Sequence, residues 1–235
     1  MERNPNDRWR PQTSDAEDWY APIPERRPRP WHWLILALVT AMLVWELVQR
    51  PSAGDGRFRI EVEDQIAYAW GSTDTESFGD VARVLQANPQ IETLILRDVP
   101  GTLDMRTNSL IARMIRERGI ATRLEHDSFI ASGGVHLFMG GVERTLECGA
   151  KIGVHSWKGS DGSTPRSLGF DPAEGYMVEF HADMGVDTGF YQFSRDRSPH
   201  EALYYVSAEQ AERFALSTEA CERVPWAERF LGVGS

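Results

Sequence analysis

Apolar and polar positions alternate in two rhythms along this chain, and the places where the rhythm changes mark its elements. Over 58–70 apolar residues recur at every second place, Phe58, Ile60 and Val62, then Ile66, Tyr68 and Trp70. That is the period of a half-buried strand, read as two strands or one bent strand. Over 76–87 the period lengthens: Phe78, Val81, Ala82 and Leu85 share one face of a helix that Asn88-Pro89 stops. The run TLILRDV inside 91–99 is a buried-strand pattern. Positions 103–118 return to the helical period, with Leu110, Ile111, Met114 and Ile115 facing inward and Gly119 as the stop, and 120–124 is a further short strand. Later, 171–184 predicts a helix with Pro172 in its first turn and Tyr176, Val178, Phe180 and Met184 partly inward. A short helix over 188–193, a brief strand over 204–206 and a helix from Ala208, capped by Ser207 with Gln210 three positions on, complete the reading. Strands alternating with helices predict an α/β fold in which helices wrap a parallel sheet.

The front of the chain follows neither rhythm. Residues 1–30 are polar, rich in proline and charge and poor in aliphatic side chains, so they are read as a disordered tail. The segment 31–49 opens WHWLILALVTAMLVWELV, apolar on all faces. Counting its interfacial tryptophans gives about eighteen residues, enough for one transmembrane helix at the lower limit of length. Arg26, Arg27 and Arg29 crowd its front edge more tightly than Arg50, Arg57 and Arg59 follow its back. This favours a signal anchor with its N-terminus in the cytoplasm and the remaining chain periplasmic or extracellular. A cleaved leader is the competing reading, but Pro51-Ser52-Ala53 is a poor cleavage site. Residues 50–57 read as a Pro/Gly linker, and 58–235 as one folded domain.

Composition narrows the function. The formal net charge is −10 in 235 residues, and because six arginines offset six acids in 1–30, the acidic excess lies beyond Arg50. An acidic domain repels phosphate backbones, so nucleic acid is excluded as a partner. No two histidines have a zinc-ligand spacing, and neither a metal nor a cofactor is expected.

The chemistry is concentrated in 127–157, where Ser132-Gly133-Gly134 opens the apolar run 135–139 and a second apolar run, 152–154, ends in His155. A nucleophilic hydroxyl needs a base to take its proton, and backbone amides unobstructed by Cβ atoms to receive the oxyanion. By residue type alone, Ser132 could equally be a helix cap and His155 a core histidine. Four pieces in order give the stretch a resemblance: a strand ending in Pro100-Gly101, a helix ending Ile115-Arg116-Glu117-Arg118-Gly119, the turn Ala131-Ser132-Gly133, and Gly149-Ala150-Lys151-Ile152-Gly153-Val154-His155. Together they resemble the ClpP-type serine peptidases of the ClpP/crotonase superfamily, most closely the membrane-anchored or secreted ClpP-like proteins of bacteria.

The resemblance implies a spiral of parallel strands wrapped by helices, with an extended polypeptide as substrate and self-association into a homo-oligomer. It implies Ser132 as nucleophile, His155 as general base, and an oxyanion hole built from the backbone amides of Gly133 and of Gly101 or Thr102. Thr102 departs from the family's paired glycines there, and Leu203 stands where the family carries its orienting aspartate. Asp196 and Glu201 are the nearest acids in sequence to replace it, and a dyad with no acid is the other possibility. The departures at Thr102 and Leu203 also fit a binding or scaffold protein that kept the fold and lost turnover. An acyl-CoA enzyme of the crotonase branch is disfavoured by the expected extracytoplasmic placement, and a Ser/Lys dyad by having only Lys151 and Lys158 to draw on. If the domain is exported, Cys148 and Cys221 can pair and tie the hairpin carrying His155 to the C-terminal segment.

Overall fold

The computed structural model describes residues 35–40 and 56–225, in two compact units, Met1–Ser52 and Ala53–Ser235. In the first unit, 35–40 are helical with exposed side chains, and the Thr40 hydroxyl donates to the Leu36 carbonyl at 2.8 Å. The tail expected over 1–30, the rest of the anchor over 31–49 and the linker up to residue 55 lie outside the described residues. Among the described residues no helix is long and apolar enough to cross a membrane.

The second unit is a mixed α/β fold. Its strands are β1 (Arg59–Glu63), β2 (Ile66–Trp70), β3 (Thr93–Val99), β4 (Ala121–Leu124), β5 (Phe129–Ala131), β6 (Arg144–Leu146), β7 (Lys151–Val154) and β8 (Tyr204–Tyr205). Its helices are α1 (Ser77–Ala87), α2 (Met105–Glu117), α3 (Gly133–Met139), α4 (Pro165–Leu168), α5 (Glu174–Asp183), α6 (Gly189–Arg197) and α7 (Ala208–Arg213). The alternation over 58–70 resolves into a β1–β2 hairpin, turned at Asp64 with φ of 52°.

The sheet forks at β3. Thr93, Leu94 and Ile95 pair in parallel with β4, which passes the ladder to β6, whereas Asp98 and Val99 pair in parallel with β5, which passes it to β7. β2 lies parallel along the other edge of β3, and only β1 and β8, the two outer strands, run antiparallel to their neighbours. The second arm sets the C-terminal ends of β3, β5 and β7 side by side, the end at which parallel sheets present their ligand-binding loops.

Helices cover the fork with the faces their patterns allow, with three exceptions. In α1 the buried residues are Ser77, Val81 and Leu85, while Phe78 turns outward. In α2 the inward stripe is Asn108, Ile111, Ala112 and Ile115, so the expected Leu110 is exposed and a polar residue takes a core position. In α5 the buried residues are Met177, Phe180 and His181, and the expected Tyr176 is exposed. Each helix is rotated toward whatever it must contact: Asn108 toward α3, and His181 toward a cavity described below. The capping box at Ser207 and Gln210 forms as the sequence predicts, both hydrogen bonds being present.

Two contacts hold the C-terminal segment to the first arm. Arg144, 3% exposed, spreads its guanidinium over the carbonyls of Leu216, Ala215 and Gly141, each at 2.9 Å. Burial lowers its pKa to about 10, which still leaves it charged at neutral pH. Cys148 and Cys221 are joined by a disulfide across a sequence separation of 73, beside a bridge between Glu147 and Glu222.

Closing a loop of that length removes about 4 kcal/mol of chain entropy from the unfolded state. Replacing both cysteines by alanine should therefore lower the unfolding free energy by about 2–4 kcal/mol in denaturant titrations of the oxidised protein. An unchanged midpoint would show that the bridge adds nothing to the segment's other anchors.

Candidate active site

β5 and β7 bring the two expected reacting residues to one edge of the sheet. Their parallel register pairs Ala131 with Gly153, so Ser132 and His155 both follow the C-terminal ends of adjacent strands, and the Ser132 amide donates to the Gly153 carbonyl at 3.0 Å. Both residues are half-buried and line one cavity.

Ser132 is not a helix cap. Although it stands at the N-cap position of α3, its side chain makes no capping hydrogen bond, and its backbone sits at φ 51°, ψ −118°. A non-glycine residue there costs of order 1–3 kcal/mol, and such strain collects where it aims a functional side chain. The turn is held against the end of β3. A Cβ on Gly134 would lie 2.1 Å from the Val99 carbonyl oxygen, and one on Gly133 would lie 2.5 Å from Thr102 Cγ2. The two glycines after the nucleophile are what allow that approach.

The same approach brings together the backbone of the two residues expected to donate to an oxyanion. Gly133 opens α3, so its N–H has no acceptor within the helix and adds to the positive end of the helix dipole. Across from it, the Thr102 amide donates to no acceptor among the described residues, because the bridge to Thr73 uses the Gly101 carbonyl and the Leu103 amide instead. The Thr102 methyl packs against Gly133, and its hydroxyl joins a polar cluster, 2.9 Å from the Asp104 carbonyl and 2.8 Å from the Thr73 hydroxyl. The Thr73 hydroxyl also lies 2.7 Å from Asn108 Oδ1, and Asn108 Nδ2 donates to the Gly133 carbonyl at 2.9 Å. Thr73 and Asn108 are fully buried. The cluster thus connects the 101–104 turn to the Ser132 turn.

His155 Nδ1 lies 2.6 Å from the Ser156 carbonyl. A carbonyl only accepts, so Nδ1 carries the proton and Nε2 presents a lone pair, the tautomer a general base requires. No hydrogen bond joins that ring to the Ser132 hydroxyl among the described residues. Neither acid nominated from the sequence reaches the ring. Asp196 is exposed and held by Arg195 at 2.8 Å, and Glu201 is exposed and paired with His200 at 3.1 Å. The antiparallel pairing of Val154 with Tyr204, continued by one residue, sets Leu203 opposite His155. The Leu203 side chain itself packs over Gly153, where an added Cβ would lie 3.1 Å from its Cδ1, and a backbone carbonyl fixes the tautomer of the ring.

Sequence reasoning passed over two further histidines. His136, one helical turn after Ser132 on α3, and His181 on α5 both line the cavity, with ring centroids 5.8 Å apart. Burial holds His136 down at about 3, with His181 lowering it further. Burial likewise holds His181 at about 4, although its hydrogen bond to the Met177 carbonyl favours the proton. Both imidazoles are neutral at pH 7. The signal was present for His136, a titratable residue inside an apolar helical run; His181 had none beyond its type. Beyond them, Asp171, 2% exposed at its side chain, accepts from Trp157 Nε1 at 3.1 Å and the Tyr191 hydroxyl at 2.6 Å, fixing the cavity's outer wall. Among the described residues no group of three or more His, Cys, Asp or Glu is placed to hold a metal ion.

No protein-family model matches the chain, and no curated protein matches it in sequence. Among solved structures, a serine-to-alanine variant of the 1510-N membrane-bound stomatin-specific protease overlaps 70% of this chain and 82% of its own, at 14% identity and a TM-score of 0.47. A lysine-to-alanine variant of that protease in complex with a substrate peptide overlaps 70% and 78%, at 15% identity and 0.46. An enoyl-CoA hydratase/isomerase from Marinobacter aquaeolei overlaps 71% and 70%, at 12% identity and 0.45. With TM-scores below 0.5, these likenesses assign no activity to the chain.

Two outcomes follow from the site's geometry. An unfolded imidazole titrates near 6.5, far above the folded values of His136 and His181. Between about pH 6.5 and 4 the unfolded chain binds protons that the native state refuses, so stability falls as pH drops through that window and is level above it. Urea midpoints at pH 7 and pH 5 should differ less in His136→Phe than in the parent; an identical difference would mean that this ring does not contribute. Separately, Leu203→Asp should supply the missing carboxylate and speed any reaction in which His155 acts as base by about tenfold or more.

Proposed function

We propose that the chain is a membrane-anchored serine hydrolase, a ClpP-type peptidase acting on extended polypeptide. The observation that carries this reading is the strained, uncapped Ser132 beside an imidazole with a free Nε2, both at one strand edge and facing one cavity. The forked, mostly parallel sheet fits the spiral of the ClpP/crotonase superfamily. The disulfide supports an oxidising, extracytoplasmic location for the domain, and the apolar segment 31–49 supports the anchor.

In this reading a substrate strand lies along the sheet edge with its scissile carbonyl over Ser132. The Ser132 hydroxyl oxygen attacks the carbonyl carbon while its proton passes to His155 Nε2, and the amides of Gly133 and Thr102 receive the negative oxygen. Collapse of the tetrahedral intermediate breaks the C–N bond, with His155 returning its proton to the leaving amine. Water, deprotonated by the same nitrogen, then hydrolyses the acyl-enzyme.

A second reading, a binding or scaffold protein on the same fold, is favoured by one feature: among the described residues no carboxylate bonds the His155 ring, whose Nδ1 is held by the Ser156 carbonyl. The two part on a single measurement. A fluorophosphonate probe should label the full chain at Ser132, with labelling lost in Ser132→Ala and slowed at least about a hundredfold in His155→Ala. Absence of labelling, together with retained peptide binding, would sink the hydrolase and leave the binding protein.

A further inference from the structure

The cavity that opens at Ser132 continues inward for about 460 Å³. Val135, Met177 and Phe190 give it apolar walls, the rings of His136 and His181 line it beside them, and Lys158 and Arg195 are its cations. No aspartate or glutamate lines it. The Tyr191 hydroxyl at its edge already donates to Asp171. Both imidazoles, by contrast, have capacity to spare. His136 Nδ1 is buried without a partner, and His181, whose Nδ1–H donates to the Met177 carbonyl, keeps an unprotonated Nε2.

We propose that this cavity is the specificity pocket for the residue whose carbonyl is attacked, and that it selects tyrosine, with the phenol hydroxyl donating to His181 Nε2. This rests on the serine-hydrolase reading of Ser132. The walls take an aromatic ring, and His181 supplies an acceptor that a phenylalanine would leave dry and unpaired. Lysine and arginine side chains would be buried with no carboxylate to meet them. Since burial keeps both rings neutral through the physiological range, the acceptor is present whenever the enzyme works.

The test uses the full chain in two independent arms. In the first, kcat/KM is measured for matched N-acyl-tyrosine, phenylalanine and lysine p-nitrophenyl esters, with Ser132→Ala as the blank. The tyrosine ester should be preferred over phenylalanine by about tenfold and over lysine by more, and His181→Phe should bring the tyrosine-to-phenylalanine ratio close to one. In the second arm, p-cresol and toluene are titrated into Ser132→Ala while the ring signals of His136 and His181 are followed by NMR. Here p-cresol should shift them at lower concentration than toluene.

Equal response to the two probes, or none, overturns the pocket assignment whatever the kinetics show. A turnover ratio near one in the parent overturns it as well. A p-cresol preference without any Ser132-dependent turnover sinks the hydrolase while the phenol pocket stands. Should His181→Phe fail to fold, the parent's ring signals and the His136→Phe ratio decide.

Discussion

The constraint on which this molecule turns is the contact between the Ser132–Gly134 turn and the end of β3. Two strand ends must come close enough for a helix N-terminus to face the backbone of residues 99–102, and a single methyl group at Gly134 would collide with the Val99 carbonyl at 2.1 Å. Everything chemical depends on that approach. It sets the Gly133 amide across from the Thr102 amide, forces Ser132 into a positive φ that aims its hydroxyl away from the helix it begins, and opens the cavity along the face of α3. Strain at Ser132 is sustained because the residues on either side are fixed from several directions: Ala131 in a strand paired on both edges, Gly133 by Asn108. A turn held at one end only would relax toward ordinary helical entry, and the serine would become the cap it resembles in sequence.

The buried polar cluster is the second half of that constraint. Thr73, Thr102 and Asn108 come from three segments and meet at hydrogen-bonding distance, a situation in which a group lost would leave another unpaired at a cost of about 1–3 kcal/mol. Such a network is specific in a way apolar packing is not, because it has one geometry that satisfies every member. Thr102 is held in it by its hydroxyl, 2.9 Å from the Asp104 carbonyl, while its methyl packs against Gly133.

How much of this was legible in the sequence depends on the range of the interaction. Periodicity located the strands and helices that cover the fork, because burial of one face imposes a repeat on any element long enough to show it. β5 has three residues, Phe129–Ala131, too few to carry a repeat, so the strand that delivers the nucleophile had no pattern of its own. Helix faces were misjudged where polar contacts, rather than apolar area, set the rotation. Asn108 looks like an interruption of the α2 stripe until the Gly133 carbonyl is known to be its partner. Tyr176 was favoured over His181 as an inward residue because hydrophobicity ranks them so, yet His181 is 1% exposed. That Ser132 and His155 line one cavity was readable only through the order of motifs. The loss of Asp196 and Glu201 as partners was not readable at all, since it depends on Arg195 and His200 being nearer.

The substitution at Leu203 has a consequence for how the base would work. A carboxylate beside Nδ1 does two things, fixing the tautomer and stabilising the imidazolium that forms when the nucleophile gives up its proton. The Ser156 carbonyl at 2.6 Å performs the first as well as an acid would, because it too can only accept. It performs the second less well, having a dipole where the acid has a full charge. The Ser156 amide is itself tied to the Ser198 carbonyl at 2.8 Å, so the residue whose carbonyl holds the ring is anchored to the end of α6. Orientation has therefore been kept and charge given up. A base so arranged is slower at every proton transfer but no less exact in where it points, which would make recognition of the substrate, through the cavity beneath Ser132, a larger share of what the site achieves than the chemical step itself.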